Sequence, residues 1–146
     1  MATILPGSTV FLGKDKFAPV DALIKEGVRV AIGTDYNPGS STFNSQPMMM
    51  TFAMTYGKMS LEDAFKGVTR NAALSLGRKE TGIIEESARA DLLIWNLQEL
   101  AQIPYYHYNA TQFITHRVKK GKLVNLKADK KKAVVEKETT PESPKQ

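Results

Sequence analysis

Hydrophobic and polar positions divide this chain into an alternating first half and a β-rich second half. Five of the six residues Val28-Arg29-Val30-Ala31-Ile32-Gly33 are apolar or glycine, which predicts a strand buried on both faces. Upstream, Val20, Ala22, Leu23 and Ile24 form the apolar side of a helix. Pro19 suits its first turn and Gly27 stops it. Thr3-Ile4-Leu5 reads as the end of a strand, running into a turn at Pro6-Gly7. Helix, glycine, then buried strand is an αβ unit, so the chain opens inside an alternating α/β pattern.

Beyond a polar loop, Gln46 to Tyr56 predicts a helix with Met48, Met49, Phe52, Met54 and Tyr56 around much of its circumference. Such a helix is largely buried, and its methionines read as adaptable core packing. Ser60-Leu61-Glu62-Asp63 resembles a capping box with Asp in place of Glu, opening a helix through Phe65. Thr69 is placed to cap a short helix from Arg70 to Leu76 that Gly77 ends, and Ala64, Ala72 and Ala73 suit close packing. Strands are predicted at Ala90 to Trp95 and at Gln112 to Lys119, with a tight turn at Lys120-Gly121 into Lys122 to Leu126. These β elements follow the helices, which suggests a small separate β module. The expected division is therefore 1–80, 81–126 and a disordered tail, 127–146, rich in Lys, Glu, Thr and Pro.

Composition narrows the class. The 146 residues are 42% hydrophobic, enough for a sizeable core, and contain no cysteine. Disulfides and thiolate metal sites are thereby excluded. No stretch approaches the ~20 apolar residues of a membrane span, and the N-terminus lacks signal-peptide features. A soluble cytoplasmic protein is expected. The net charge of +5 comes largely from seven lysines between Lys119 and Lys132. No aromatic residues interleave with them, so a solvated tail is expected in place of a nucleic-acid surface.

The candidate chemistry lies where the buried strand ends. Thr34-Asp35 places a carboxylate at its C-terminal tip, followed by Tyr36-Asn37-Pro38-Gly39-Ser40-Ser41. Parallel strands of α/β barrels present their chemistry at that end. On its own, such an Asp more often caps the helix that follows.

The wider set of motifs resembles the C-terminal third of a metal-dependent amidohydrolase, and within these the imidazolonepropionase family. The resemblance rests on Leu5-Pro6-Gly7-Ser8-Thr9, on Phe17-Ala18-Pro19 leading into Gly27-Val28, and on Ala31 to Ser40. It continues through Val68-Thr69-Arg70-Asn71-Ala72-Ala73, Ala90 to Trp95 and the hairpin Val118 to Val124, covering roughly residues 3 to 126. Gly-Thr-Asp after an apolar strand is shared by many amidohydrolases. Asp followed by x-Asn-Pro-Gly-Ser is much more characteristic of imidazolonepropionases.

The resemblance implies the last strands and helices of a (β/α)8 barrel plus part of a flanking β-sandwich, with Val28 to Gly33 as the eighth barrel strand. It implies hydrolysis of 4-imidazolone-5-propanoate to N-formimino-L-glutamate in histidine degradation. Asp35 would ligate one divalent ion, zinc or iron, and move protons, while Asn37, Gly39 and Ser40 would contact the substrate. The chemistry is coherent, because such an ion lowers the pKa of bound water and a nearby carboxylate takes its proton. The complete enzyme is compatible with a homodimer.

The family's metal histidines lie on earlier strands, and this sequence has only His107 and His116. A barrel of this kind takes about 250 residues, so another segment, or a second chain, would supply the rest. A structural role is expected for His107, and none in catalysis for His116. Glu86-Ser87-Ala88-Arg89 stands where relatives carry a Gly-Lys turn; Ser tolerates positive φ less well than Gly, and a reshaped turn is expected. Two alternatives stay open: another amidohydrolase, such as a deaminase or cyclic-amide hydrolase, and a non-catalytic fragment or interaction module.

Overall fold

The computed structural model describes residues 1–124, so the predicted tail at 127–146 lies outside the described residues. The strand read from Val28 to Gly33 narrows to β2 (Val30–Ile32), with all three residues buried. They are 2%, 1% and 2% exposed in chain order, as expected for a strand covered on both faces. Strand β1 (Ala2–Ile4) pairs with it in parallel, with Ala2 beside Val30 and Ile4 beside Ile32. Parallel neighbours need a long crossover, and here it carries α1 (Pro6–Phe11) and α2 (Val20–Lys25).

Two local expectations change in this crossover. Pro6-Gly7 does not make a turn; Pro6 opens α1, where its missing N–H removes nothing the helix needs. Pro19 stands one residue before α2 instead of within its first turn.

Helix α3 (Gln46–Thr55) matches the prediction closely and is capped by Ser45, whose Oγ accepts from the Met48 N–H. Met49, Met50 and Ala53 are buried, and Met48, Phe52 and Met54 pack against the core from its flanks. Helix α4 (Leu61–Val68) lies over β2 with Ala64 and Gly67 buried. Its Ser60 cap is only half a capping box. The Ser60 Oγ accepts from the Asp63 N–H at 3.0 Å and donates to the Asp63 carboxylate at 2.6 Å. The shorter Asp side chain thus returns to the hydroxyl. Thr69 does not cap α5 (Arg70–Ser75); its Oγ1 instead donates to the Phe65 carbonyl at 2.7 Å. Asn71 Nδ2 donates to the Val30 carbonyl at 3.0 Å, fastening α5 to the buried strand.

The second sheet is antiparallel, in the order β3 (Leu92–Trp95), β4 (Ile114–Lys119), β5 (Lys122–Val124). The strand expected from Gln112 begins two residues later, because Ala110–Phe113 forms a 3-10 turn. Between the sheets, α6 (Gln102–Tyr105) packs on α3, and Thr51 Oγ1 donates to the Pro104 carbonyl at 2.7 Å. Ile103 joins the main core, with Trp95 and Leu97 against it. Among the described residues no helix is long and apolar enough to cross a membrane.

The hairpin turn has positive φ at both Lys120 and Gly121, the twist that two-residue hairpins require. Asp91 secures it. Its Oδ1 accepts from the Lys120 N–H at 2.7 Å, and its Oδ2 takes Arg89 at 2.8 Å and Lys119 at 3.0 Å. The Lys120 backbone bond, then Lys119 and Arg89, hold this carboxyl at about 2, below its ordinary value. A depressed carboxylate pKa stabilises the fold above the unfolded pKa, and that contribution disappears as pH falls through the folded value. Asp91→Asn should therefore lower the melting temperature by a few degrees near neutrality, with the deficit shrinking between about pH 4 and pH 2. Melting curves across that range check it, and an undiminished deficit at the acid end contradicts it.

Ser87 adopts φ of 65°, in the left-handed region that favours glycine. The left-handed region costs an L-residue roughly 1–2 kcal/mol. Ser87→Gly should stabilise the chain by about 0.5–1 kcal/mol, net of glycine's greater unfolded entropy. Urea unfolding measures this, and no gain or a loss would mean that the turn carries no strain.

Candidate active site

The parallel register brings the C-terminal ends of β1 and β2 side by side, and two polar segments leave there. One is the start of α1 with Ser8; the other is the loop from Thr34 to Ser41. Asp35 lies just past β2 with φ of 50°, a left-handed backbone that Asp tolerates better than most residues. Its Oδ2 accepts two hydroxyl hydrogen bonds, from Ser8 at 2.6 Å and from Ser40 at 2.7 Å. The Ser8 bond, then the Ser40 bond, hold the Asp35 carboxyl below its ordinary pKa, with Asn37 adding a smaller effect. Hydrogen bonds to the charged form favour it. The site therefore presents a carboxylate at neutral pH.

Asn37 folds the loop around itself. Its Oδ1 accepts from the Gly39 and Ser40 N–H groups, both at 2.8 Å. Its Nδ2 donates to the Asp35 carbonyl at 2.6 Å and to Ser40 Oγ at 2.7 Å. Both N–H groups and both oxygen lone pairs are thus engaged. The Asn37 N–H also donates to the Ser41 carbonyl at 2.9 Å, closing the loop at its base. Asp35, Asn37, Gly39 and Ser40 therefore belong to one hydrogen-bonded unit.

Ser8 escaped the sequence reading as an individual site residue. Once β1 and β2 are paired in parallel, a polar residue just past β1 becomes a neighbour of one just past β2. Gly7 allows the approach. A Cβ there would lie 2.8 Å from Met49 Sδ and 3.1 Å from Ser41 Oγ. Met49 and Ser41 are both fully buried.

Neither histidine joins this unit. His107 follows α6, with Nδ1 against the Pro104 carbonyl at 3.2 Å, and its own carbonyl accepts from Ser45 Oγ. His116 lies on β4, exposed, beside Thr115 Oγ1. A cavity of about 330 Å³ lined by Arg29, Lys66, Arg70 and Asn71 opens near the beginning of β2, away from Asp35. Among the described residues no three His, Cys, Asp or Glu side chains gather closely enough to share a metal ion. Asp35 fits such an ion as one oxygen donor, and hydroxyls bonded to its carboxylate are the outer support that ligating carboxylates receive.

The sequence profile of the Amidohydrolase family matches residues 9–129. The chain belongs to this family. Its similarity is high to the imidazolonepropionase of Idiomarina loihiensis, 42% identical over 105 residues, covering 72% of this chain and 26% of that protein. The imidazolonepropionase of Bacillus velezensis is 38% identical over 125 residues, covering 85% and 29% respectively. This amidohydrolase chain thus spans under a third of the length of these relatives. In fold it resembles a mutant of the atrazine chlorohydrolase TrzN from Arthrobacter aurescens, solved with zinc and atraton. That likeness has a TM-score of 0.71 and 17% identity, covering 91% of this chain and 35% of the other.

The seat of Ser8 depends on Gly7. Gly7→Val should destabilise the chain by about 1–3 kcal/mol, because a branched side chain needs more room beside the buried Met49 and Ser41 than the methionine tip can yield. Urea unfolding gives the value, and unchanged stability would show that α1 does not press on α3 as described.

Proposed function

We propose that this chain is the C-terminal segment of an imidazolonepropionase, which hydrolyses 4-imidazolone-5-propanoate to N-formimino-L-glutamate. The observation that carries the reading is the Asp35 carboxylate, held at a strand tip by Ser8 and Ser40 within the Asn37-organised loop. Identity of about 40% to imidazolonepropionases over most of this chain supports it. On this reading β1 and β2 are the last two strands of a (β/α)8 barrel within residues 1–80. The three-stranded sheet in 81–126 is part of a β-sandwich.

Asp35 accepts a proton from the water that adds to the ring carbonyl carbon. As the cyclic amide C–N bond breaks, the same carboxyl returns the proton to the departing nitrogen, and the former carbonyl carbon becomes a carboxylate. A bound zinc or iron ion, with Asp35 as one ligand and the others from outside this chain, would supply Lewis acidity. Asn37, Gly39 and Ser40 form the substrate-contacting loop. An amide side chain, a closely approached backbone and a hydroxyl suit a polar ring and a carboxylate, and the Asn37 amide also holds Gly39 and Ser40 in place. The missing barrel strands come from an N-terminal portion or from a second chain, and the complete enzyme is compatible with a homodimer.

The test joins this chain to the N-terminal portion of the Idiomarina loihiensis relative and assays imidazolone propionate beside a panel of deaminase and cyclic-amide substrates. The joined enzyme should turn over imidazolone propionate preferentially. Asp35→Asn should lower kcat by about 10²–10⁴, with a much smaller change in KM, because Asn keeps an oxygen but cannot take a proton. Preference for another substrate, or near-normal kcat in Asp35→Asn with metal bound, contradicts the proposal.

A further inference from the structure

We infer that Ser8 is a positioning residue for Asp35, donating the one hydrogen bond among the described residues that ties the carboxylate to a segment outside its own loop. The inference rests on the reading of Asp35 as the metal-ligating, proton-moving carboxylate. Ser8 Oγ donates to Asp35 Oδ2 at 2.6 Å across 27 residues of sequence. The other hydroxyl on that oxygen, from Ser40, comes from five residues away. Ser40 is tied to Asn37, which is tied in turn to the Asp35 carbonyl. Any rocking of this loop therefore carries Ser40 and the carboxylate together. Ser8 comes from a different element, α1.

Ser8 stands in the first turn of α1, and no side chain caps that helix. Its hydroxyl is thus available to the carboxylate instead of to its own helix. Pro6 and Gly7 are buried, and Gly7 lies against the buried Met49 of α3 and against Ser41 at the base of the Asp35 loop. Bonds to one oxygen from two segments, α1 and the Asp35 loop, hold that oxygen more narrowly than the loop alone would. A ligating and proton-moving carboxylate needs that, since small errors of position at a reacting group are costly.

The experiment compares Ser8→Ala and Ser8→Thr in the joined enzyme, with steady-state kinetics, divalent-ion affinity by chelator competition, and melting temperature. In Ser8→Ala, kcat and ion affinity should each fall by about 10–100-fold while KM stays within about twofold. The melting temperature should barely change. Ser8→Thr keeps a hydroxyl and should recover most of both losses. Wild-type kcat and ion affinity in Ser8→Ala overturn the inference. Equal losses in both variants, with a lowered melting temperature, also overturn it and assign Ser8 a packing role. If the joined protein binds the ion but does not hydrolyse imidazolone propionate, the functional reading fails by itself. Chelator competition then decides Ser8: loss in Ser8→Ala with recovery in Ser8→Thr supports the inference, and no loss overturns it.

Discussion

The parallel pairing of Ala2–Ile4 with Val30–Ile32 is the constraint on which the candidate site depends. Two strands that run the same way end on the same side, so the polar segments that follow them meet. Burial of Val30, Ala31 and Ile32 on both faces, with Gly67 of α4 seated on Ile32, makes the register costly to change, because close-packed neighbours would have to shift with it. The helical layer adds to this grip, with α4 packed over β2 and Asn71 bonded to the Val30 carbonyl. From that register follow the seat of Gly7 on Met49, the position of Ser8, and its bond to Asp35.

The loop beyond Asp35 shows how a short polar segment holds a shape with little apolar burial. One asparagine side chain accepts from two backbone N–H groups and donates to a carbonyl and a hydroxyl. Asx-type bonding of this kind replaces regular secondary structure in turns. It also explains the residue types. Glycine and serine follow Asn37 at the positions its carbonyl oxygen reaches, and the Ser40 hydroxyl is left directed at Asp35. The left-handed backbone at Asp35 is accommodated within this network.

Much of this was legible in the sequence. The run from Val28 to Gly33 identified the buried strand, the Gln46–Tyr56 region its helix, and Lys120-Gly121 the hairpin turn, since each follows from periodicity or turn chemistry over adjacent residues. Asp35 and its loop residues were legible for the same reason, as a contiguous motif. Ser8 was not, because its role arises from a register between strands far apart in sequence. At Thr69 and Pro6 two local preferences compete. A threonine that can cap a helix can also bond back to the preceding turn, as it does to Phe65, and a Pro-Gly pair can open a helix as well as a turn. Ser87 takes a glycine-like conformation because the turn before β3 imposes it over the residue's own preference.

We propose that Asp35 is one ligand of a divalent-ion site whose other ligands come from outside this chain. Zinc titration followed by calorimetry, on the chain alone and on the enzyme joined to the N-terminal portion of a relative, tests this most directly. The chain alone should show no tight stoichiometric binding, since structurally defined zinc sites take three or more protein ligands. The joined enzyme should bind one ion tightly, and much more weakly after Asp35→Ala. Tight one-to-one binding by the chain alone, or binding in the joined enzyme indifferent to Asp35→Ala, would contradict the proposal.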